Sequence, residues 1–270
     1  MKSIFYVLLL SLAISACQPK ENAKVLVPRP LTANEDLNQF SGDKKNALAI
    51  FQTKDSAINQ RADRLPGEVY HVKLGDTAIS IQMNAADKNS LISSFSFAEF
   101  LNTQKTSLLV QAADSSGLVS PFYILTLSNN KLEAITLYRE SNGKQDKLFT
   151  KGLGVIGRSA YVINNDYVIK RVAAKIYTIK RQKAEERIQG KFFMNSPDKE
   201  TIIFLLPNLL YEVHYPTGTV YSQPLPANTP EAPALYKFIQ NGYSWQRNES
   251  GISFLKKNID DNRIINIEDF

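Results

Sequence analysis

TIIFLLPNLLYEVHYPTGTVY, residues 201–221, decides how the fold is read. The apolar run 201–206 is broken by Pro207-Asn208. Residues 209–215 form a second run in which apolar and aromatic side chains alternate with polar ones. Pro216-Thr217-Gly218 then turns the chain into Val220-Tyr221. Proline fixes φ and removes a backbone donor, Asn and Gly accept turn conformations, and runs of this length are strand-sized. The stretch reads as successive antiparallel strands joined by tight turns.

The same punctuation recurs upstream. Residues 122–127 and 132–138 flank Asn129-Asn130, and residues 160–163 and 167–172 flank Asn164-Asn165-Asp166. From about 107 to 222 the pattern predicts an antiparallel meander. The hairpins have no fixed period, so neither a propeller nor a solenoid is assigned, although a propeller fragment fits the pattern. Earlier, Tyr70, Val72 and Leu74 alternate with polar residues, as do Ile79, Ile81 and Met83, and Gly75-Asp76 between them suits a two-residue turn.

Helical spacing precedes and interrupts these strands. Thr32-Ala33-Asn34-Glu35 has capping-box spacing ahead of Leu37 and Phe40, and Asp43 can cap a second helix striped by Ala47, Ile50, Phe51 and Ile58. Residues 87–103 read as a short helix with Leu91, Phe95 and Ala98 on one face. After the Pro-rich residues 223–233, Leu235, Phe238 and Ile239 suit a helix ending near Gly242, and residues 252–255 and 263–267 suit late strands. The predicted fold class is α+β, with N-terminal helices followed by a predominantly antiparallel β-meander, all in one domain over 34–270.

The first seventeen residues carry a different kind of information. Lys2 is followed by a mostly apolar run from Ile4 to Ile14, which closes on Ile14-Ser15-Ala16-Cys17. A basic start, a short apolar stretch and small residues at the end make a secretory signal peptide, well short of the roughly 20 residues that span a bilayer. The ending resembles the lipobox of bacterial lipoproteins, whose Cys takes a diacylglycerol thioether before cleavage leaves it as the first residue. The resemblance covers the leader alone. It implies a signal peptide over 1–16, lipidation at Cys17, and a cell-envelope address. Gln18 stands where Asp would resemble the signal for inner-membrane retention, so outer-membrane sorting is expected. Residues 17–33, with Pro19, Pro28 and Pro30, then read as the lipidated Cys and a flexible tether.

Composition narrows the chemistry. Cys17 is the only cysteine, so its lipidation would remove thiol nucleophiles, Cys-based zinc sites and disulfides from the mature body. Lys and Arg outnumber Asp and Glu by 32 to 26, a mild basic excess. An exported chain makes nucleic acid a poor partner. The basic segment 170–191 offers Lys170, Arg171, Lys175, Lys180, Arg181 and Lys183 as candidate contacts to an anionic lipid, glycan phosphate or acidic protein, against the alternative of a solvated hairpin guarded by edge lysines.

Other motifs carry less. Gly152-Leu153-Gly154-Val155-Ile156-Gly157 matches G-x-G-x-x-G, but a hairpin pattern follows it where the dinucleotide mechanism requires a helix, and no acidic residue stands about 20 positions on. The histidines, His71 and His214, lie in separate strand patterns, which makes a metal site a poor fit. Ser41-Gly42-Asp43-Lys44 and Ser141-Asn142-Gly143-Lys144 are turn-like, and Glu185-Glu186, Asp260-Asp261 and Glu268-Asp269 are adjacent acids on charged segments. Tyr211, Tyr215, Tyr221, Tyr236, Tyr243 and Trp245 suit a meander core, or secondarily a contact surface. No catalytic residue, metal or cofactor is assigned. The expected function is a membrane-anchored envelope lipoprotein with a non-catalytic binding or scaffolding role toward an envelope protein or glycan. The alternatives are an immunity-type lipoprotein that blocks a periplasmic toxin or hydrolase, and an envelope hydrolase.

Overall fold

A computed structural model describes residues 23–32, 35, 37–38, 47–54, 68–83, 90–113, 119–128, 131–142, 151–231 and 233–258. The leader, Cys17, Gln18, most of the capping-box segment and the expected strand at 263–267 lie outside the described residues.

Strands dominate. The first sheet takes β1 (Ala23–Leu26), β2 (Arg29–Pro30), β3 (Leu48–Lys54), β4 (Glu68–Leu74), β5 (Thr77–Gln82), β6 (Leu91–Ile92), β7 (Phe95–Phe100), β8 (Ser107–Ala112), β9 (Phe122–Ser128) and β10 (Lys131–Thr136). Its order is β1-β5-β4-β7-β8-β9-β10-β2, with β3 also on β4 and β6 also on β5. β1 runs parallel to β5, β2 runs parallel to β10, and two residues separate β1 from β2. β6 pairs with β5, and β7 begins two residues after it. The pairings therefore close a ring, β5–β6/β7–β8–β9–β10–β2/β1, with the N-terminal strap joining the two ends. The strap thus occupies both ends of the path, while β3 lies off it, paired with β4.

Two four-stranded antiparallel meanders follow. One is β11 (Leu153–Ile156), β12 (Ala160–Ile163), β13 (Tyr167–Lys170) and β14 (Lys175–Thr178). The other is β15 (Lys191–Asn195), β16 (Thr201–Leu206), β17 (Leu209–His214) and β18 (Thr219–Pro224). Helix α1 (Ala234–Gly242) and the hairpin β19 (Tyr243–Arg247) with β20 (Ser253–Lys257) complete the described chain.

Alternation along the strands divides the interior into layers. Leu26, Val72, Ile79, Ile81, Phe95, Leu108, Val110, Tyr123 and Leu125 fill the ring. Leu109, Phe122, Ile124 and Ile135 point the other way, against Tyr161, Ile163, Tyr167 and Ile169 of the second sheet. That sheet's opposite face, with Ala160, Val162 and Val168, meets Ile202, Phe204, Tyr211 and Val213 of the third. Ile203 and Leu210 then meet Leu235, Ile239, Tyr243 and Leu255. Covered on both faces, β9, β12 and β16 read as continuous apolar runs.

The α+β expectation with N-terminal helices is corrected. The proposed helix stripe containing Ile50 and Phe51 is β3, whose residues pair one for one with β4. Leu48 and Ile50 contribute to the ring core, whereas Phe51 is exposed; β-branched and aromatic residues suit that half-buried surface. The proposed helix 87–103 contains β6 and β7. The register of β7 on β8 shifts between Phe95 and Phe97. This bulge puts Phe95 and Ala98 on the ring side and Phe97 on the other, so a strand acquires the i, i+3 spacing of a helix.

The tether expectation is corrected too, since β1 and β2 lie within 17–33. Ladder pairing is made by backbone groups and asks little of side chains: only Leu26 of β1 is buried. Arg29 secures the strap from outside, donating from Nε to Glu133 at 2.9 Å and from Nη1 to Glu35 at 3.1 Å. Where turn chemistry was strongest the expectation stands: Gly75-Asp76 joins β4 to β5, Asn164-Asn165-Asp166 joins β12 to β13, and the stretch 201–221 forms three paired strands.

Candidate functional site

The turn Asn164-Asn165-Asp166 organises the most polar part of the body. Asn164 and Asn165 both take positive φ, 51° and 58°, which Asn tolerates better than most residues and which tight hairpins need. Asp166 is thereby held at the end of β13, wholly buried. Its Oδ1 accepts from Arg181 Nε at 3.0 Å and Nη2 at 2.8 Å, and its Oδ2 accepts from Arg187 Nε at 2.8 Å. Both guanidinium groups are buried with it.

The arginines spend their remaining donors on backbone. Arg181 Nη1 donates to the carbonyls of Glu140 at 2.6 Å and Ala184 at 3.2 Å, and Arg181 and Arg187 each donate to the carbonyl of Arg139 at 3.2 Å. Arg139 is half-buried and donates to the Ile179 carbonyl at 2.8 Å. Burial, then repulsion from Arg181, lowers the affinity of Arg139 for its proton. Burial, reinforced by Asp166, pushes the neighbouring Tyr167 phenol up.

This buried charge cluster fixes two irregular segments against each other. Arg187 N–H donates to Ser141 Oγ, and Asn142 N–H donates to the Glu185 carbonyl, both at 3.0 Å. Between the segments opens a cleft of about 550 Å³ lined by Tyr138, Glu140, Ser141, Asn142, Ala184 and Glu185. Cations lie beneath, and carboxylates, an amide and a hydroxyl stand at the rim. Such groups exchange hydrogen bonds with sugar hydroxyls or peptide groups. Glu185 had been recognisable only as one of two adjacent acids, and Ser141 only in a turn-like Ser-x-x-Lys. A non-local contact between a post-strand segment and a charged loop has no sequence period to reveal it.

The six basic candidates do not form one ridge. Arg181 is buried in the charge cluster, which removes it as a partner contact. Lys170 pairs with Glu200 at 3.3 Å and lies over the rings of Tyr177 and Tyr215. Arg171 pairs with Glu99 and lies over Tyr161. Lys175 is exposed above Tyr177, Lys180 is exposed, and Lys183 pairs with Glu186 at 3.3 Å. Cys17 lies outside the described residues.

The other motifs resolve into packing. The G-x-G-x-x-G stretch is β11 and its flanks, and it leads into a hairpin. A Cβ on Gly154 would sit 2.8 Å from the Phe192 ring, so this glycine lets the second and third sheets approach. His71 contacts Thr53 and the Ser93 carbonyl, while His214 contacts Thr217 and stands 3.7 Å from Glu200. Among the described residues, no group of three or more His, Cys, Asp or Glu is arranged to hold a metal ion. Tyr211, Tyr215 and Tyr243 are core residues, and Tyr221 stacks on Phe254 with centroids 5.1 Å apart.

Glu212 escaped the sequence reading because it occupies a polar slot of an alternating strand. It is buried at the seam between β17 and the last hairpin, accepting from Leu255 N–H at 2.8 Å and Gln223 Nε2 at 3.0 Å. Burial pushes its carboxyl up to about 7. No family model, curated protein or solved structure matches this chain.

Proposed function

We propose that this chain is a membrane-anchored lipoprotein of the cell envelope whose β-rich body binds another envelope protein or glycan without catalysing a reaction on it. The leader ending in Ile14-Ser15-Ala16-Cys17 carries the anchor, and the observation that carries the binding role is how the body uses its charges. Asp166, Arg181 and Arg187 lock loops, Glu212 seats the final hairpin, and Asp198 accepts from Ser196 and Ser253 to hold a turn. These groups build surface rather than converge on a reacting atom. The rim of the 138–142 and 184–185 cleft leaves polar groups facing outward for a partner.

The test has two arms. Cys17→Ala is expected to abolish lipid labelling and to move the protein from the membrane to the soluble fraction; unchanged labelling overturns the anchor. A photo-crosslinking residue at Asn142 is expected to capture one envelope component in living cells, while the same probe at the remote, exposed Val172 captures none. Equal capture at both positions, or none at either, overturns the cleft as the binding surface.

A further inference from the structure

Among the described residues, one face of the ring is left uncovered. The second sheet covers the outer side of β8–β10, but among the described residues no element packs on the outer side of β1 and β3–β6. Leu26, Leu48, Val72, Ile79, Ile81 and Ile92 point inward. Alternation therefore turns Val25, Phe51, Lys73 and Leu91 outward.

These outward residues are unusually apolar for solvent. Val25 is 45% exposed, Phe51 47% and Leu91 51%, and Val27, two residues beyond Val25, is 55% exposed. Pairing places them on adjoining strands. Val25 stands opposite Ser80 of β5, and Gln82 of the same strand stands opposite Leu91. The Lys73 ammonium lies 5.3 Å from the centre of the Phe51 ring. Elsewhere the large exposed apolar side chains among the described residues are Met83 just after β5, Val155 and Val172 near the second sheet, and Tyr236 on the helix. Ser80, Gln82 and His71 are the pairing partners of Val25, Leu91 and Phe51, so the face mixes polar with apolar side chains, and an outward face this rich in large apolar groups marks a contact surface.

We infer that this face, carrying Val25, Val27, Phe51 and Leu91, lies against the lipid bilayer. The inference rests on the anchor proposed above at Cys17. Cys17 precedes Ala23 by six peptide steps, which span no more than about 22 Å when fully extended. β1, the strand nearest the lipid in sequence, is itself part of the bare face. A long tether would leave orientation free; this one holds the face within reach of the headgroups. Apolar side chains at headgroup depth add to the affinity that acyl chains supply. Lys73, on the same face as Phe51, adds attraction to anionic lipid.

The single tryptophan, Trp245, permits a direct test. Val25→Trp, Phe51→Trp and Leu91→Trp are made separately in a Trp245→Phe background, with Val172→Trp as the remote position. Each full-length, processed protein is floated with vesicles of phosphatidylethanolamine and phosphatidylglycerol that carry brominated acyl chains. Flotation reads the anchor, and quenching reads the face. Emission from the probes at 25, 51 and 91 is expected to fall by about half in brominated vesicles, with little change at 172 or for native Trp245. Three independent positions keep the test decisive if one substitution impairs folding. Flotation without quenching at the three positions overturns the bilayer-facing surface and leaves the anchor standing; this is also the result if a protein partner covers the face. Equal quenching at 172 overturns it as well. Failure to float overturns the anchor and the inference together.

Discussion

Asp166 shows how one buried side chain sets the geometry of a distant surface. Its carboxylate takes three hydrogen bonds from two arginines that bridge onward to the carbonyls of residues 139, 140 and 184. Replacing an entire buried ion triad by apolar groups is often tolerated, but removing one partner strands the others in a low dielectric. Asp166→Ala is therefore expected to cost about 3–5 kcal/mol in urea unfolding. Lys180→Glu, next in sequence to Arg181 but exposed, is expected to stay within about 0.5 kcal/mol of wild type. Near-equal effects would contradict the division of the basic segment into a buried and a solvated part. That division was hidden in the sequence, where Lys180-Arg181 is a uniform pair of cations. Only the position of Asp166, 15 residues before Arg181 and fixed by the Asn164-Asn165 turn, separates their roles.

At the level of elements, the strap β1–β2 carries the largest consequence per residue. It closes the ring by pairing with β5 on one side and β10 on the other. Deleting residues 18–22, which precede the described strap, sets the reference thermal midpoint. Deleting 18–30 is expected to lower it by about 5–10 °C, since the loss exposes Ile79 and Ile81 and opens two strand edges. Melting curves of purified, non-lipidated protein made with Cys17→Ala separate the two deletions. An equal midpoint for both would restore the tether reading of residues 23–30. Hairpins were legible because their turns are coded by local chemistry, such as Gly75-Asp76 and Pro216-Thr217-Gly218. β3 and β7 were not, because a short apolar segment satisfies either period and the bulge after Phe95 counterfeits a helical one.

Across the whole molecule the layers follow chain order, from ring to second sheet to third sheet to the helix and last hairpin. Each interface buries residues from neighbouring segments, so stability is distributed along the stack. Glu212 adds a pH dependence at the final interface. Its folded carboxyl titrates at about 7, above the ordinary value of 4.5. Between these values the folded protein keeps a proton that the unfolded chain releases. The stability contributed by this group is complete below about 4.5, is lost as pH rises through 7, and is flat above. The loss approaches about 3 kcal/mol in total, at 1.36 kcal/mol per unit. Urea unfolding at pH 5 and pH 8 is expected to show a steeper decline for wild type than for Glu212→Gln, which retains an acceptor for Leu255 but has no proton to lose. Parallel declines would remove Glu212 from this role.

The hairpins, the C-terminal helix and the predominance of strands over 107–222 were legible in the order of residues alone. These follow from turn residues and alternation, which act over a few positions. The sequence also carried the lipobox-like leader, whose meaning is chemical and local. Tertiary contacts settled that β1, β3 and β7 are strands, that the first sheet closes, that Arg181 is internal, and that no described element covers one face of the ring. Those outcomes depend on partners up to about a hundred residues away, such as β2 on β10 or Arg29 on Glu133. Backbone pairing of that kind leaves little mark on side-chain pattern, because the groups that pair are common to every residue.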